Sequence, residues 1–216
     1  MILNKIRNQA LNSVKRNGSN LRFLSQELRN DREIVFAAVT RNGIALEFAS
    51  PELQNDSEIV IAAVKKNGLA LQFASPQLQN NREIVLAAVK KNGYALEFAS
   101  PELKGDGEIG LATATQNSDG LQYASSELKN DRNFILNAVN NNGWALQFAS
   151  PEFRNDREIV LAAVTENGWA LTYVSPELQN DREIVLAAIK QNNHALSFGV
   201  NKNSYNSWNN KKIYLL

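Results

Sequence analysis

Polar and apolar residues alternate in blocks along this chain, and the blocks recur. Residues 30–54 read NDREIVFAAVTRNGIALEFASPELQ: a polar quartet, six apolar residues, a second polar quartet, a short apolar-rich stretch and a Ser-Pro turn. Residues 55–79, NDSEIVIAAVKKNGLALQFASPQLQ, repeat the arrangement, and it returns at 80, 105, 130, 155 and 180 without insertion or deletion. A weaker copy occupies 5–29, so eight units of 25 residues fill 5–204. A fixed period of this length is the mark of a repeat architecture.

Each column of the repeat has a local reading. The apolar block lacks strict alternation and sits in a run of helix formers, EIVLAAVKK, so it predicts a helix over about 31–41 and its equivalents. Its six apolar residues in a row predict burial on most sides. The Asn-Gly that follows could close a β-hairpin. After a helix-forming run ending in basic residues, it reads instead as a C-cap with the glycine in the left-handed conformation. Upstream, Asn55 with Glu58 three positions later has the form of a capping box. The stretch x-Ala-Leu-x-Phe-Ala predicts a shorter second helix. All five prolines (Pro51, Pro76, Pro101, Pro151, Pro176) follow a serine, as a Ser cap with Pro at the first helical position requires.

Two helices and a turn in 25 residues cannot bury their apolar faces alone, but stacked on neighbours they can. The expected fold is all-α, an elongated and curved α-solenoid of eight helix-turn-helix repeats over residues 1–204, with an irregular tail at 205–216. The ends fit. Repeat 1 carries Gln9, Asn12 and Ser13 where later repeats have Ile, Ala and Ala, and repeat 8 replaces its Ser-Pro turn with Gly199-Val200-Asn201-Lys202. Repeat 5 is irregular, with Gly105, Gly107, Gly110 and Gly120 outside the usual glycine column and Ser118 inside it.

Composition narrows the chemistry. The chain has 216 residues, 44% of them hydrophobic, and 23 Lys plus Arg against 22 Asp plus Glu, a net charge of +1. That balance argues against a histone-like or polybasic membrane-binding protein. With no cysteine and one histidine, thiolate sites, disulfides and most histidine-based catalysis drop out. No segment reaches the ~18 apolar residues of a membrane span, and MILNKIRNQALNS holds no apolar stretch of signal-peptide length. The expectation is a soluble, intracellular protein with no membrane insertion.

The consensus NDREIVLAAVxxNGxALxFASPELxND closely resembles the domain-of-unknown-function 4116 repeat family, over about seven of the eight copies. That resemblance implies a tandem-repeat scaffold of the kind carried by protists, some large viruses and bacteria living inside amoebae or other host cells. There it sometimes sits in secreted effectors, which would place it in a host cytoplasm. It brings no catalytic residue, metal or cofactor.

Three columns could carry function. The carboxylates Glu27, Glu52, Glu102, Glu127, Glu152 and Glu177 recur at the Ser-Pro turn, where helix-start electrostatics account for them. The Asp-Arg-Glu columns read as caps and solvated pairs worth ~0–1 kcal/mol each. The position after the cap glycine is different: it holds Ser19, Ile44, Leu69, Tyr94, Asp119, Trp144, Trp169 and His194 between nearly fixed neighbours. A fully buried position would not accept both Asp119 and Trp144, so this column is expected to be partly exposed. One variable side chain per repeat is how solenoids write a binding face. Ile44, Leu69, Tyr94, Trp144, Trp169 and His194 are therefore the candidate partner-binding residues.

Charge is uneven as well, at +4 over residues 1–104 and −3 over 105–216. Much of the excess forms a basic stripe, Lys15, Arg16, Arg41, Lys65, Lys66, Lys90 and Lys91, at the ends of the first helices. Favourable placement at helix C-termini explains it, and it stops before the tryptophans begin. The expected function is a non-enzymatic scaffold that binds another protein. The alternative is a single-stranded nucleic-acid binder stacking bases on Tyr94, Trp144 and Trp169, disfavoured by the near-zero net charge. An enzyme is not expected, because no nucleophile, metal or phosphate motif appears. End-to-end self-association stays open.

Overall fold

A computed structural model describes residues 2–197, with side chains through residue 195. Every element among the described residues is helical. The chain divides into two compact units, Met1–Ala124 and Ser125–Leu216. In the first, the long helices are Ile2–Arg16, Arg32–Arg41, Ser57–Lys66, Arg82–Lys91 and Gly107–Asn117. In the second they are Arg132–Asn141, Arg157–Glu166 and Arg182–Gln191. Within each unit every long helix packs on the long helix of the next repeat, as a solenoid requires.

The element after each long helix is a 3₁₀ helix, such as Gly43–Phe48 or Gly143–Phe148. The Ser-Pro segment is a single turn, α-helical at Pro51–Gln54 and 3₁₀ at Leu103–Gly105. Ser50 caps it by accepting the Leu53 N–H on its hydroxyl. The same hydroxyl donates at 2.6 Å to Oδ1 of Asn30, the first residue of its own repeat, a link repeated by Ser75, Ser100 and Ser175.

The helix start differs from the capping box read in the sequence. The cap is the aspartate, not the asparagine: Asp56 accepts the N–H groups of Glu58 and Ile59. Asn55 closes the preceding turn and receives the Ser75 hydroxyl. Inside the helix, Ile59, Val60, Ala63 and Val64 are fully buried, and Ile61 and Ala62 are half-buried. Burying each large apolar side chain contributes ~1.5–3 kcal/mol.

The glycine column also departs from expectation. Among the described residues no glycine has positive φ, so none of these is a left-handed C-cap. The helix ends on an extended asparagine, Asn42, whose N–H bonds Ala38 and whose side chain caps the following 3₁₀ helix. Glycine is needed for a different reason. A Cβ on Gly43 would lie 2.3 Å from the Ala63 carbonyl oxygen of the next repeat, and Gly18 and Gly68 meet Ala38 and Ala88 at the same distance. The missing side chain lets two backbones touch.

Repeat 5 keeps its packing by paired changes. Thr113 stands in an Ala column and bonds the Ile109 carbonyl, and Gly120 stands in another Ala column. A Cβ on Gly120 would fall 2.6 Å from Thr113 Cγ2, so the lost methyl makes room for the gained one. At the start of the array, Gln9 and Asn12 are exposed and Ser13 is half-buried, as a polar cap should be. Asn20, in a column otherwise buried, donates to Ser13 Oγ at 2.9 Å. The replacement turn at 199–202 and the tail at 205–216 lie outside the described residues.

Candidate interaction surface

The variable column sits second in each 3₁₀ helix, where the capping asparagine fixes its backbone. Asn Oδ1 accepts the N–H of Ile44 at 3.2 Å, of Leu69, Tyr94, Trp169 and His194 at 3.0 Å, and of Trp144 at 3.1 Å. The frame is thus the same in every repeat while the side chain changes. Ile44, Leu69, Tyr94, Trp144 and Trp169 are half-buried and His194 is exposed.

These side chains lean on the following repeat. The Tyr94 hydroxyl donates to Asp119 at 3.1 Å, which gives that carboxylate a partner from the preceding repeat. Trp144 meets Tyr173 edge to face, with centroids 5.9 Å apart, an arrangement worth ~0.5–1.5 kcal/mol beyond burial. Trp144 is therefore part packing and part surface. Phe23, in the weaker first copy, is 71% exposed and is covered on one side by the Arg22 guanidinium. Phe48 and Phe73, in the same column, are half-buried.

Lys15, Arg16, Arg41, Lys65, Lys66, Lys90 and Lys91 are all exposed at the ends of their helices. Among the described residues, none takes part in an ion pair. The column holding Arg41, Lys66 and Lys91 changes chemistry further along. There Gln116, Glu166 and Gln191 reach back and accept the N–H of Gly93, Gly143 and Gly168 at 2.5, 2.5 and 2.6 Å. Reading that column only for charge missed this acceptor role. The switch from cation to Gln or Glu was its visible signal.

A second ladder runs along the helix starts. Arg7 bonds Asp31 at 2.6 Å and Glu33 at 2.6 Å, Arg82 bonds Asp106 and Glu108, and Arg132 bonds Asp156 and Glu158. Arg32 and Arg157 do the same with Asp56 and Glu58, and with Asp181 and Glu183. The Asp-Arg-Glu columns are thus pairs between repeats. The Arg7 guanidinium holds the Asp31 carboxyl below the usual carboxylate range. At Asp56, burial pushes the carboxyl up, but Arg32 and two backbone N–H groups outweigh it and the net direction is down. The arginine column is broken twice, by Ser57 and by Gly107, and only opposite Ser57 is the aspartate replaced as well, by Asn81.

The carboxylates at the Ser-Pro turn behave as helix starts. The Ser25 hydroxyl, with the residue's own backbone amide, lowers the Glu27 carboxyl, and at Glu52 the backbone amide leads. Among the described residues, no group of three or more His, Asp or Glu side chains is placed to hold a metal ion. None of their helices is long and apolar enough to cross a membrane.

Compared with known proteins, the chain matches one family, described as Domain of unknown function (DUF4116), at residues 7–54, 56–104, 111–154 and 156–198. No curated protein and no solved structure matches it. Each matched segment covers two consecutive 25-residue repeats, so the family unit is a repeat pair. Four such pairs account for nearly all of the repeated sequence, and the chain belongs to the DUF4116 family.

Proposed function

We propose that this chain is a non-enzymatic scaffold that binds another protein along the edge formed by its 3₁₀ helices, within a cell. One observation carries the reading. The side chain after the glycine varies from Ile44 to Trp169 while its backbone is held identically by an asparagine in every repeat. A rigid frame with one free choice per unit suits recognition, because the frame limits the entropy lost on binding. Trp144 and Trp169 are its anchors, since half-buried aromatic residues dominate interface energies.

The test compares partner capture by the full chain and by a Trp144→Ala/Trp169→Ala variant, with circular dichroism confirming that the variant is folded. Loss of the captured protein by the folded variant supports the reading. Unchanged capture refutes these anchors and moves the search to the basic stripe. Salt-sensitive capture of RNA or single-stranded DNA instead of protein would overturn the partner class.

A further inference from the structure

The basic stripe and the glycine amides meet in one place, and the repeats differ in how that place is filled. In repeats 4, 6 and 7 the glycine N–H is taken by a side-chain oxygen from the next repeat: Gln116 on Gly93, Glu166 on Gly143 and Gln191 on Gly168. In repeats 1, 2 and 3 the residues in that register are Arg41, Lys66 and Lys91, which have no acceptor atom. Among the described residues, no backbone or side-chain oxygen takes the Gly18, Gly43 or Gly68 N–H. Each of these glycines is buried, and the cation in the matching register is exposed. Buried N–H groups are rarely left without a partner.

Glu166 shows what this position accepts when the chain supplies it. A carboxylate oxygen lies 2.5 Å from the Gly143 amide. At Gly18, Gly43 and Gly68 the amide is the same, and a positive charge replaces the internal acid. An incoming carboxylate would gain both a backbone hydrogen bond and an ion pair, the combination that makes charge-assisted bonds strong. We propose that the edge at Gly18, Gly43 and Gly68 docks an acidic segment of a partner protein, whose carboxylates bond these amides and pair with Arg41, Lys66 and Lys91. Lys15, Arg16, Lys65 and Lys90, exposed at the same helix ends, extend the positive field that steers it.

Spacing sets the form of the segment. Packed helices lie ~8–10 Å apart, and a polyproline II chain rises ~3.1 Å per residue with three residues per turn, so acidic side chains three residues apart share one face and would meet successive repeats. This deepens the scaffold reading by giving the partner's chemistry. It concerns repeats 1 to 3, whereas Trp144 and Trp169 belong to repeats 6 and 7, so either can fail alone.

The experiment uses a labelled peptide with Glu at every third position, its Gln counterpart and an oligonucleotide of equal charge, each titrated against the full chain by fluorescence anisotropy. The expected result is saturable binding of the Glu peptide, at least tenfold tighter than of the Gln peptide, with the Gly43 and Gly68 amide resonances moving downfield. The variant Lys66→Glu/Lys91→Glu supplies the acid internally, as Glu166 does. It should show the same downfield amides without peptide, an unchanged or raised Tm, and at least tenfold weaker peptide binding. Peptide binding that survives in this folded variant would overturn the proposal. So would equal affinity for the oligonucleotide, which would mark the stripe as a general polyanion surface.

Discussion

Replacing Gly43 by Ala is the sharpest test of why the glycine column exists. Gly43 has an ordinary negative φ, so backbone preference alone predicts a gain of ~0.4–1 kcal/mol from the stiffer unfolded chain. The packing predicts the opposite. The new Cβ would sit 2.3 Å from the Ala63 carbonyl and 3.0 Å from the Asn67 amide, and both are main-chain atoms that no rotamer change can move. Reaching even a 3.0 Å contact requires helix Ser57–Lys66 to retreat by about 0.7 Å, although it is packed against repeats on both sides. Overpacking of this kind costs ~1–3 kcal/mol. It exceeds the entropic gain, and for a chain of this size each kcal/mol moves Tm by ~2–4 °C. Urea and thermal melts by circular dichroism measure it. Gly107→Ala is the control, because a Cβ there meets nothing within 4 Å, and it should be neutral or stabilising. Gly43→Asn separates the two explanations. A left-handed site would tolerate Asn better than Ala, whereas close approach makes Asn at least as costly. A neutral Gly43→Ala would refute the close-approach argument.

Two further expectations follow from the junctions. Asp31 has a folded pKa below its unfolded value, so its contribution is fully present above about pH 4 and is lost as pH falls through the folded value. Asp31→Asn keeps the cap, as Asn81 does at the equivalent position, and should flatten the loss of stability between neutral and acid pH in urea melts. An unchanged acid slope would count against the ladder. Deleting residues 55–79 removes one whole repeat and should leave a folded helical chain. Deleting 55–67 takes a long helix but leaves its 3₁₀ partner, Gly68–Phe73, unmatched, and should cause misfolding that circular dichroism and proteolysis detect.

The period, the long helices and the polar first repeat were legible because each is a property of a column: a fixed spacing, a run of helix formers, a swap of Ile and Ala for Gln9, Asn12 and Ser13. What escaped lies between columns. Nothing in Asn-Gly tells a left-handed cap from a glycine pressed on a neighbour's carbonyl, since both forbid a side chain. Six residues such as Gly43–Phe48 are too few for periodicity to separate a 3₁₀ from an α-helix. The capping aspartate was mistaken because Asn55 and Asp56 are both good caps, and the choice depends on where Ser75 takes its partner. On the candidate site, the residues were found but their contacts were not. That Trp144 lies against Tyr173 becomes visible only when repeats 6 and 7 are stacked.

The junction where Ser57 faces Asn81 has a bearing on how such a chain finds its own order. Near-identical repeats invite mispairing, in which one unit docks two places along instead of one. If repeat 2 skipped to repeat 4, Arg32 would face the neutral Asn81 instead of Asp56. If repeat 3 skipped to repeat 5, Ser57 would leave Asp106 without its cation. Both errors forfeit a pairing that correct order keeps, so this rung, neutral on both sides, works as an address label in a charged ladder, telling otherwise interchangeable units which neighbour is theirs.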